Sequence, residues 1–131
     1  MSQAYGMSKK ISGSYEEAIP KVTEALKKEG FGILTEINVK ETLKKKIDKD
    51  FRKYIILGAC NPNLAFQALS SETEMGLLLP CNVIVYETDG HETMVSIQDP
   101  DIFLNIVGDN KKIQPIAKEA KERLSRVIAA L

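Results

Sequence analysis

The sequence predicts an α+β fold in which a single sheet, mainly antiparallel or mixed, carries helices packed on one face. Five short apolar segments have the alternation or continuous apolar character of strands, and segments with helical periodicity separate most of them. Asp89-Gly90 is the signal of a two-residue hairpin turn between the last two predicted strands. That pair is therefore expected to be antiparallel.

Length and composition limit the architecture and the partners. At 131 residues the chain is long enough for one core and too short for two, so we expect one domain over residues 1–131. Hydrophobic residues make up 44% and charged residues 27%, which is typical of a soluble globular protein. The 18 basic residues equal the 18 acidic ones, so no net positive charge favours nucleic acid as a partner.

The expected location is the cytoplasm. Residues 1–5 lack the basic and continuous apolar regions of a signal peptide. No segment approaches the roughly 18 apolar residues of a membrane span, so we expect no membrane partner. The two cysteines are too few for a secreted disulfide framework and should stay reduced in the cytoplasm.

The first half of the chain predicts β-α-β-α-β. Ser14 and Glu17 have the spacing of a capping box, so a helix should begin there and end at Gly30. Pro20 predicts a kink in that helix, or a helix that settles only after the proline. The other predicted elements are strands at 5–11, 31–39 and 52–60 and a short helix at 40–48 with Leu43 and Ile47 inward.

The second half predicts α-β-β-α-α. Asn61 and Pro62 are typical of the N-cap and first residue of a helix. Pro80 interrupts an apolar strand at 77–87, which predicts a bulge, an edge or a late strand start. The remaining predictions are a polar loop at 70–75, a strand at 91–98, a short helix from Asp99-Pro100 that stops at Gly108, and a final amphipathic helix at 112–130.

Two similar strings predict the functional site. Ala59-Cys60-Asn61-Pro62 and Leu79-Pro80-Cys81-Asn82 each place a cysteine beside an asparagine and close to a proline. They contain the only two cysteines of the chain, and each lies where an apolar strand pattern meets a break. We therefore expect Cys60, Asn61, Cys81 and Asn82 to border one ligand-binding cleft between sheet and helices.

These strings also carry a resemblance to a known family. The segments concerned are 58–62, 76–83 and Asp99-Pro100, together with Ala65, Ala68-Leu69, the Gly30-Phe31 strand start and the C-terminal amphipathic helix. Over nearly the whole chain the sequence resembles domain of unknown function 302. The resemblance implies a compact α+β domain of β-α-β4-α type that forms a homodimer, and it implies no reaction.

The chemistry at the two cysteines stays open. Cys60 ends a predicted strand just before a helix N-terminus, where backbone dipoles favour a thiolate. A buried cysteine equally packs as a small apolar side chain. The spacing of 21 residues between Cys60 and Cys81 is not a simple metal motif, and a zinc site would need further donors from Glu72, Glu74, His91 or a second chain.

Three hypotheses follow for the function. The first is a small binding module that holds a small molecule or a soft metal ion at the two Cys-Asn elements. The second is a thiol-dependent enzyme or redox protein, with Cys60 reactive and Cys81 its resolving partner. The third is a structural or interaction protein that acts through a homodimer surface. The sequence favours the first and third over the second and identifies no reaction or cofactor.

Overall fold

The computed structural model describes residues 5–107 and 110–131 of the chain. In these ranges five strands form one antiparallel sheet in the order β1-β5-β4-β3-β2. The strands are β1 (Gly6–Ile11), β2 (Gly32–Asn38), β3 (Tyr54–Cys60), β4 (Cys81–Glu87) and β5 (Thr93–Gln98). The α+β class is therefore confirmed, and the sheet is antiparallel rather than mixed.

Five α-helices and one 3-10 helix complete the fold over the residues that the structure describes. The helices are α1 (Tyr15–Lys28), α2 (Val39–Ile47), α3 (Pro62–Ser71), α4 (Asp101–Val107) and α5 (Ile113–Ala129), with the 3-10 helix Thr73–Leu78 after α3. The element order matches the order predicted from the sequence. The predicted stop of α4 at Gly108 lies outside the described residues.

The main core lies between one face of the sheet and helices α1 and α5. Alternate residues of β3, β4 and β5 enter it, as expected for a sheet that is covered on one face. Val22 and Leu26 of α1 and Leu124 of α5 are completely buried against them. At about 25 cal/mol per Å² of apolar surface, each such side chain stabilises the fold by roughly 1.5–3 kcal/mol.

Helix α1 begins with the predicted capping box. The Glu17 amide donates to Ser14 Oγ at 3.0 Å, and the Ser14 amide donates to Glu17 Oε1 at 3.0 Å. The helix runs without interruption past Pro20. The alternative of a helix that settles only after the proline is therefore wrong, because the capping box starts it at Tyr15.

The region of β2 and α2 departs from the prediction. A register shift between Ile33 and Thr35 breaks the regular alternation of β2. Helix α2 has no buried residue, and Ile47, which the sequence placed inward, is 60% exposed. The reason is position, since α2 contacts mainly β2 and β3 at the edge of the sheet and contributes to neither core cluster.

The segment between α3 and β4 is more ordered than its polar sequence indicates. Helix α3 continues to Ser71, and the 3-10 helix replaces the predicted loop at 70–75. Met75 is only 2% exposed and packs in a second core cluster with Ala68 and Phe103. Burial of Met75 holds this segment against the domain. Strand β4 then begins at Cys81, immediately after Pro80, so the late strand start is confirmed.

The β4–β5 hairpin has a longer turn than two residues. The amide of His91 donates to the Thr88 carbonyl at 2.9 Å, and His91 has a φ of 62°. A type I turn followed by a left-handed residue is a three-residue hairpin connection. Asp89-Gly90 therefore correctly marks the hairpin, and His91 takes the conformation that closes it.

Candidate functional site

A small apolar cavity lies where the two core clusters meet. Its volume is about 40 Å³. Cys60 and Asn61 line it from the end of β3 and the start of α3, Cys81 from the start of β4, and Met75 from the 3-10 helix. Apolar side chains of α3, α4 and α5 close the rest of the wall. We call this the thiol cavity.

Strand pairing brings the two cysteines together. Ala59 pairs directly with Cys81 across β3 and β4, so Cys60 lies one residue beyond that pair. Both cysteines are free, Cys81 is 7% exposed and Cys60 is half-buried. The Cys60 thiol is close enough to contribute to the raised pKa of Cys81. Residues that are 21 positions apart in the sequence thus line one cavity.

Asn61 supports the cavity as a helix cap. Its Oδ1 accepts from the Leu64 amide at 3.2 Å, and its side chain is 8% exposed. Pro62 occupies the first turn of α3, as the sequence predicts. The cap satisfies one of the free amides at the start of α3 and fixes the start of the helix next to the C-terminal end of β3.

Asn82 lies away from the other three predicted site residues. It is exposed in β4, where successive side chains alternate between the two faces of the sheet. It borders a groove on the opposite face from α1 and α5, and it is not among the residues that line the thiol cavity. The similar strings of sequence therefore do not place their asparagines in similar positions.

Both thiols are neutral near pH 7. Burial raises the pKa of Cys60, and burial followed by the nearby Cys60 raises the pKa of Cys81 to about 11. For Cys60 this direction is opposite to the lowering of the pKa expected from the N-terminus of α3, and its cause is the loss of hydration on burial. Neutral, shielded thiols are poor nucleophiles, which disfavours the thiol-enzyme hypothesis.

The other metal donors considered from the sequence do not join the cysteines. Over residues 5–107 and 110–131, no group of three or more His, Cys, Asp or Glu side chains is placed to hold a metal ion. His91 is exposed in the hairpin, with Nδ1 3.3 Å from Glu87 Oε1. Glu74 is exposed in the 3-10 helix, and Glu72 caps the end of α3.

Met75 is the cavity residue that sequence reasoning missed. Its thioether adds a third sulfur-containing side chain to the cavity that Cys60 and Cys81 line. The sequence placed it at the end of a polar loop, where burial was not expected. A partial signal was the apolar run Met75 to Leu79, of which Met75 is buried and Leu77 is exposed.

These features define a single-sheet α+β domain with a buried sulfur-lined cavity. The chain belongs to the family described as domain of unknown function DUF302, whose model matches residues 7–131. It is similar to a crystal structure of an uncharacterised conserved DUF302 protein from Bacillus stearothermophilus, with 28% identity, a TM-score of 0.88 and 98% of each chain covered. No curated protein matches the chain.

The family assignment agrees with the resemblance carried by the two cysteine strings, and it identifies no reaction. In the described part of the chain, no helix is both long enough and apolar enough to cross a bilayer.

Proposed function

We propose that this protein is a small binding module whose thiol cavity holds a soft monovalent metal ion such as Cu(I). The observation that carries the proposal is that Cys60, Cys81 and Met75 all line one small cavity. Thiolate and thioether sulfur are the ligands that Cu(I) prefers in proteins. Asn61 borders the same cavity and contributes by positioning α3 rather than by coordination.

The size of the cavity favours an ion over an organic ligand. Pockets for drug-sized molecules typically enclose about 300–1,000 Å³. The thiol cavity measures about 40 Å³, which is room for an ion or a few atoms. A small organic ligand would have to open the packing of α3 against α5, at the cost of buried apolar contacts.

The resting thiols are suited to reversible binding rather than to reaction. Because burial raises the pKa of both cysteines, they stay protonated and protected until an ion replaces their protons. The proposed setting is the cytoplasm, where reducing conditions keep the two free cysteines available.

A competition titration tests the proposal. The reduced, untagged protein is titrated with Cu(I) in the presence of bicinchoninate, a coloured Cu(I) chelator. We expect one ion per chain, and at least a hundredfold weaker binding after Cys60→Ser combined with Cys81→Ser. Met75→Leu keeps the apolar volume and removes only the thioether, so it should weaken binding about tenfold. Equal binding by wild type and the double variant would refute the site.

Circular dichroism and urea unfolding of the same variants control for folding. Cys→Ser at a buried position introduces a hydroxyl and can destabilise the fold by about 1–3 kcal/mol. Met75→Leu is close to volume-conserving and should cost less than about 1.5 kcal/mol. A folded Met75→Leu variant with weakened Cu(I) binding therefore separates metal coordination from packing.

A second candidate function is that of a homodimeric interaction protein. Phe66 is 73% exposed on α3, and Leu77 is 81% exposed on the following 3-10 helix. Leu69, which is 40% exposed, lies one helical turn from Phe66. Its Cδ2 would be 3.9 Å from a Cβ built on Gly76, so Leu69 also lies beside the 3-10 helix. Exposed apolar side chains on neighbouring elements favour a protein contact, and a second copy is the partner that we propose.

Light scattering coupled to size exclusion tests this second candidate. We expect a dimer for the wild type and a monomer for Leu77→Lys, because a lysine at this position would be buried in the contact without a charged partner. Lys45→Leu on the exposed helix α2 serves as a distant control and should leave the dimer intact. A wild-type monomer at high concentration would contradict the homodimer.

A further inference from the structure

A second concave site lies on the face of the sheet that α1 and α5 do not cover. This sheet groove has a volume of about 570 Å³, which is within the usual range for small-molecule sites. Its floor is formed by β1, β5 and β4. Tyr5 and Ile102 line it near the end of β5, and Tyr54 and Tyr86 line it at the opposite end.

The register of the strands arranges the polar groups of the groove in rows. Ser8 and Ser96 are paired, and their hydroxyls bond to each other at 2.7 Å. Asn82 and Gln98 lie one residue beyond the pair Val83–Ile97, so their two carboxamides belong to the next row. Gly6 pairs with Gln98 and adds no side chain there, which leaves space above the Gln98 amide.

Gln98 carries the unusual feature of the groove. Its Oε1 is buried and lacks a hydrogen-bond partner, the one such side-chain atom in residues 5–107 and 110–131. A buried carbonyl oxygen without a partner loses its hydration and gains nothing in return. The oxygen has less than 1 Å² of accessible surface, so the carboxamide must rotate about its terminal torsion to turn Oε1 into the groove that Gln98 lines, where a ligand N–H then supplies the partner.

The remaining lining specifies the character of the ligand. None of the described residues that line the groove is charged, so a charged ligand would find no counter-ion. Ile84 and Met94 give an apolar floor. The rings of Tyr54 and Tyr86 stack with centroids 5.3 Å apart and an interplanar angle of 14°. A flat, uncharged molecule matches this surface.

We propose that the sheet groove binds an uncharged planar heterocycle that presents an amide or lactam edge to Gln98. A lactam donates its N–H to a carboxamide oxygen and accepts from the carboxamide nitrogen through its own carbonyl, so the pairing gives Gln98 Oε1 a partner. Asn82, which the sequence assigned to a ligand site, borders this groove and is available to the same ligand. The site is separate from the thiol cavity.

The test uses 2-quinolone, a neutral bicyclic lactam, as the probe. Its N-methyl derivative has nearly the same shape and lacks the N–H donor, so it is the matched control. Backbone amide signals of the ¹⁵N-labelled full chain are followed by NMR during each titration. We expect saturable shifts in β1, β4 and β5 with 2-quinolone and at least tenfold weaker binding of the N-methyl compound.

A substitution at Gln98 completes the test. Gln98→Met keeps an unbranched side chain of similar length and removes the carboxamide. It should weaken 2-quinolone at least tenfold and leave the N-methyl compound unchanged, so that the two compounds bind alike. Circular dichroism verifies that the variant is folded. Thr88→Val, in the hairpin outside the groove, should change neither affinity.

Three outcomes would overturn the proposal. The first is equal binding of both compounds to the wild type, or no binding of either. The second is a set of shifts confined to α3 and the 3-10 helix, which would place the probe at the thiol cavity. The third is a wild-type dimer that Ile84→Lys converts to a monomer, which would assign this sheet face to a second copy of the chain.

Discussion

The side-chain amide of Asn61 occupies the space where a β carbon on residue 30 would lie. An ideal Cβ built on Gly30 would be 2.9 Å from Asn61 Nδ2. Gly30 follows the end of α1 with a φ of +83°, a conformation that side chains disfavour. Gly30 thus has two roles: it ends α1, and its lack of a side chain leaves room for Asn61, the N-cap of α3. Through this contact the end of α1 adjoins the thiol cavity.

Gly30→Ala should therefore destabilise the protein by about 2 kcal/mol, since it combines a left-handed backbone with a close contact. Urea unfolding measures the change. Gly32→Ala is the control, because an added Cβ there meets nothing within 4 Å. The control should change the free energy of unfolding by less than about 0.5 kcal/mol. Equal losses in both variants would contradict the proposed contact.

The two asparagine caps should differ in their importance. Asn61→Ala removes the acceptor for the Leu64 amide and should cost about 1–2 kcal/mol, because α3 is packed against the core. Asn38 caps α2 in the same way, with Oδ1 3.1 Å from the Glu41 amide. Since α2 buries no residue, Asn38→Ala should cost no more than about 0.5 kcal/mol in global unfolding. A larger loss of stability for Asn38→Ala than for Asn61→Ala would contradict the greater importance of the Asn61 cap.

Cys81 should make the protein less stable at high pH. Its native pKa is about 11, whereas an unfolded cysteine titrates near 8.5. Above about pH 8.5 the unfolded thiol loses its proton first, so the unfolded state is favoured as pH rises towards 11. Between about pH 8 and pH 10.5, wild type should lose about 2 kcal/mol more than Cys81→Ala. Parallel pH profiles for the two proteins would contradict a buried neutral thiol.

Cu(I) affinity should rise steeply with pH. Both thiols are protonated between about pH 6 and pH 8 because burial raises each pKa, so ligation must displace one proton from each. The apparent affinity should increase about a hundredfold per pH unit, and about tenfold in Cys60→Ser. Bicinchoninate competition at several pH values measures the slope. An affinity independent of pH would exclude the cysteines as ligands.

Much of the fold follows from local sequence signals. The capping box at Ser14, the proline after Asn61 and the alternation in β5 each act over a few residues, and each formed the predicted element. Predictions failed where distant packing decides the outcome. Ile47 stays exposed because α2 lies at the edge of the sheet and joins neither core cluster, and Met75 is buried because it packs with residues of α4 and α5.

The candidate site was predictable only in part. Similar strings indicated that Cys60 and Cys81 share a location, and the antiparallel register of β3 and β4 brings them there. Side chains alternate along strand β4, so Asn82 lies on the opposite face of the sheet from its neighbour Cys81. The sequence did not predict this, because it did not show whether the strand begins before or after Pro80. The Cys60 pKa depends on burial by α3 and β4, which no local pattern reports.

X-ray absorption at the copper edge tests the central proposal most directly, because it counts the atoms that ligate the metal. For the Cu(I)-loaded wild type we predict a first shell made only of sulfur, with three sulfur ligands from Cys60, Cys81 and Met75. Met75→Leu should retain Cu(I) with two sulfur ligands. A shell of nitrogen or oxygen ligands, or a sulfur count unchanged in Met75→Leu, would contradict the thiol cavity as the metal site.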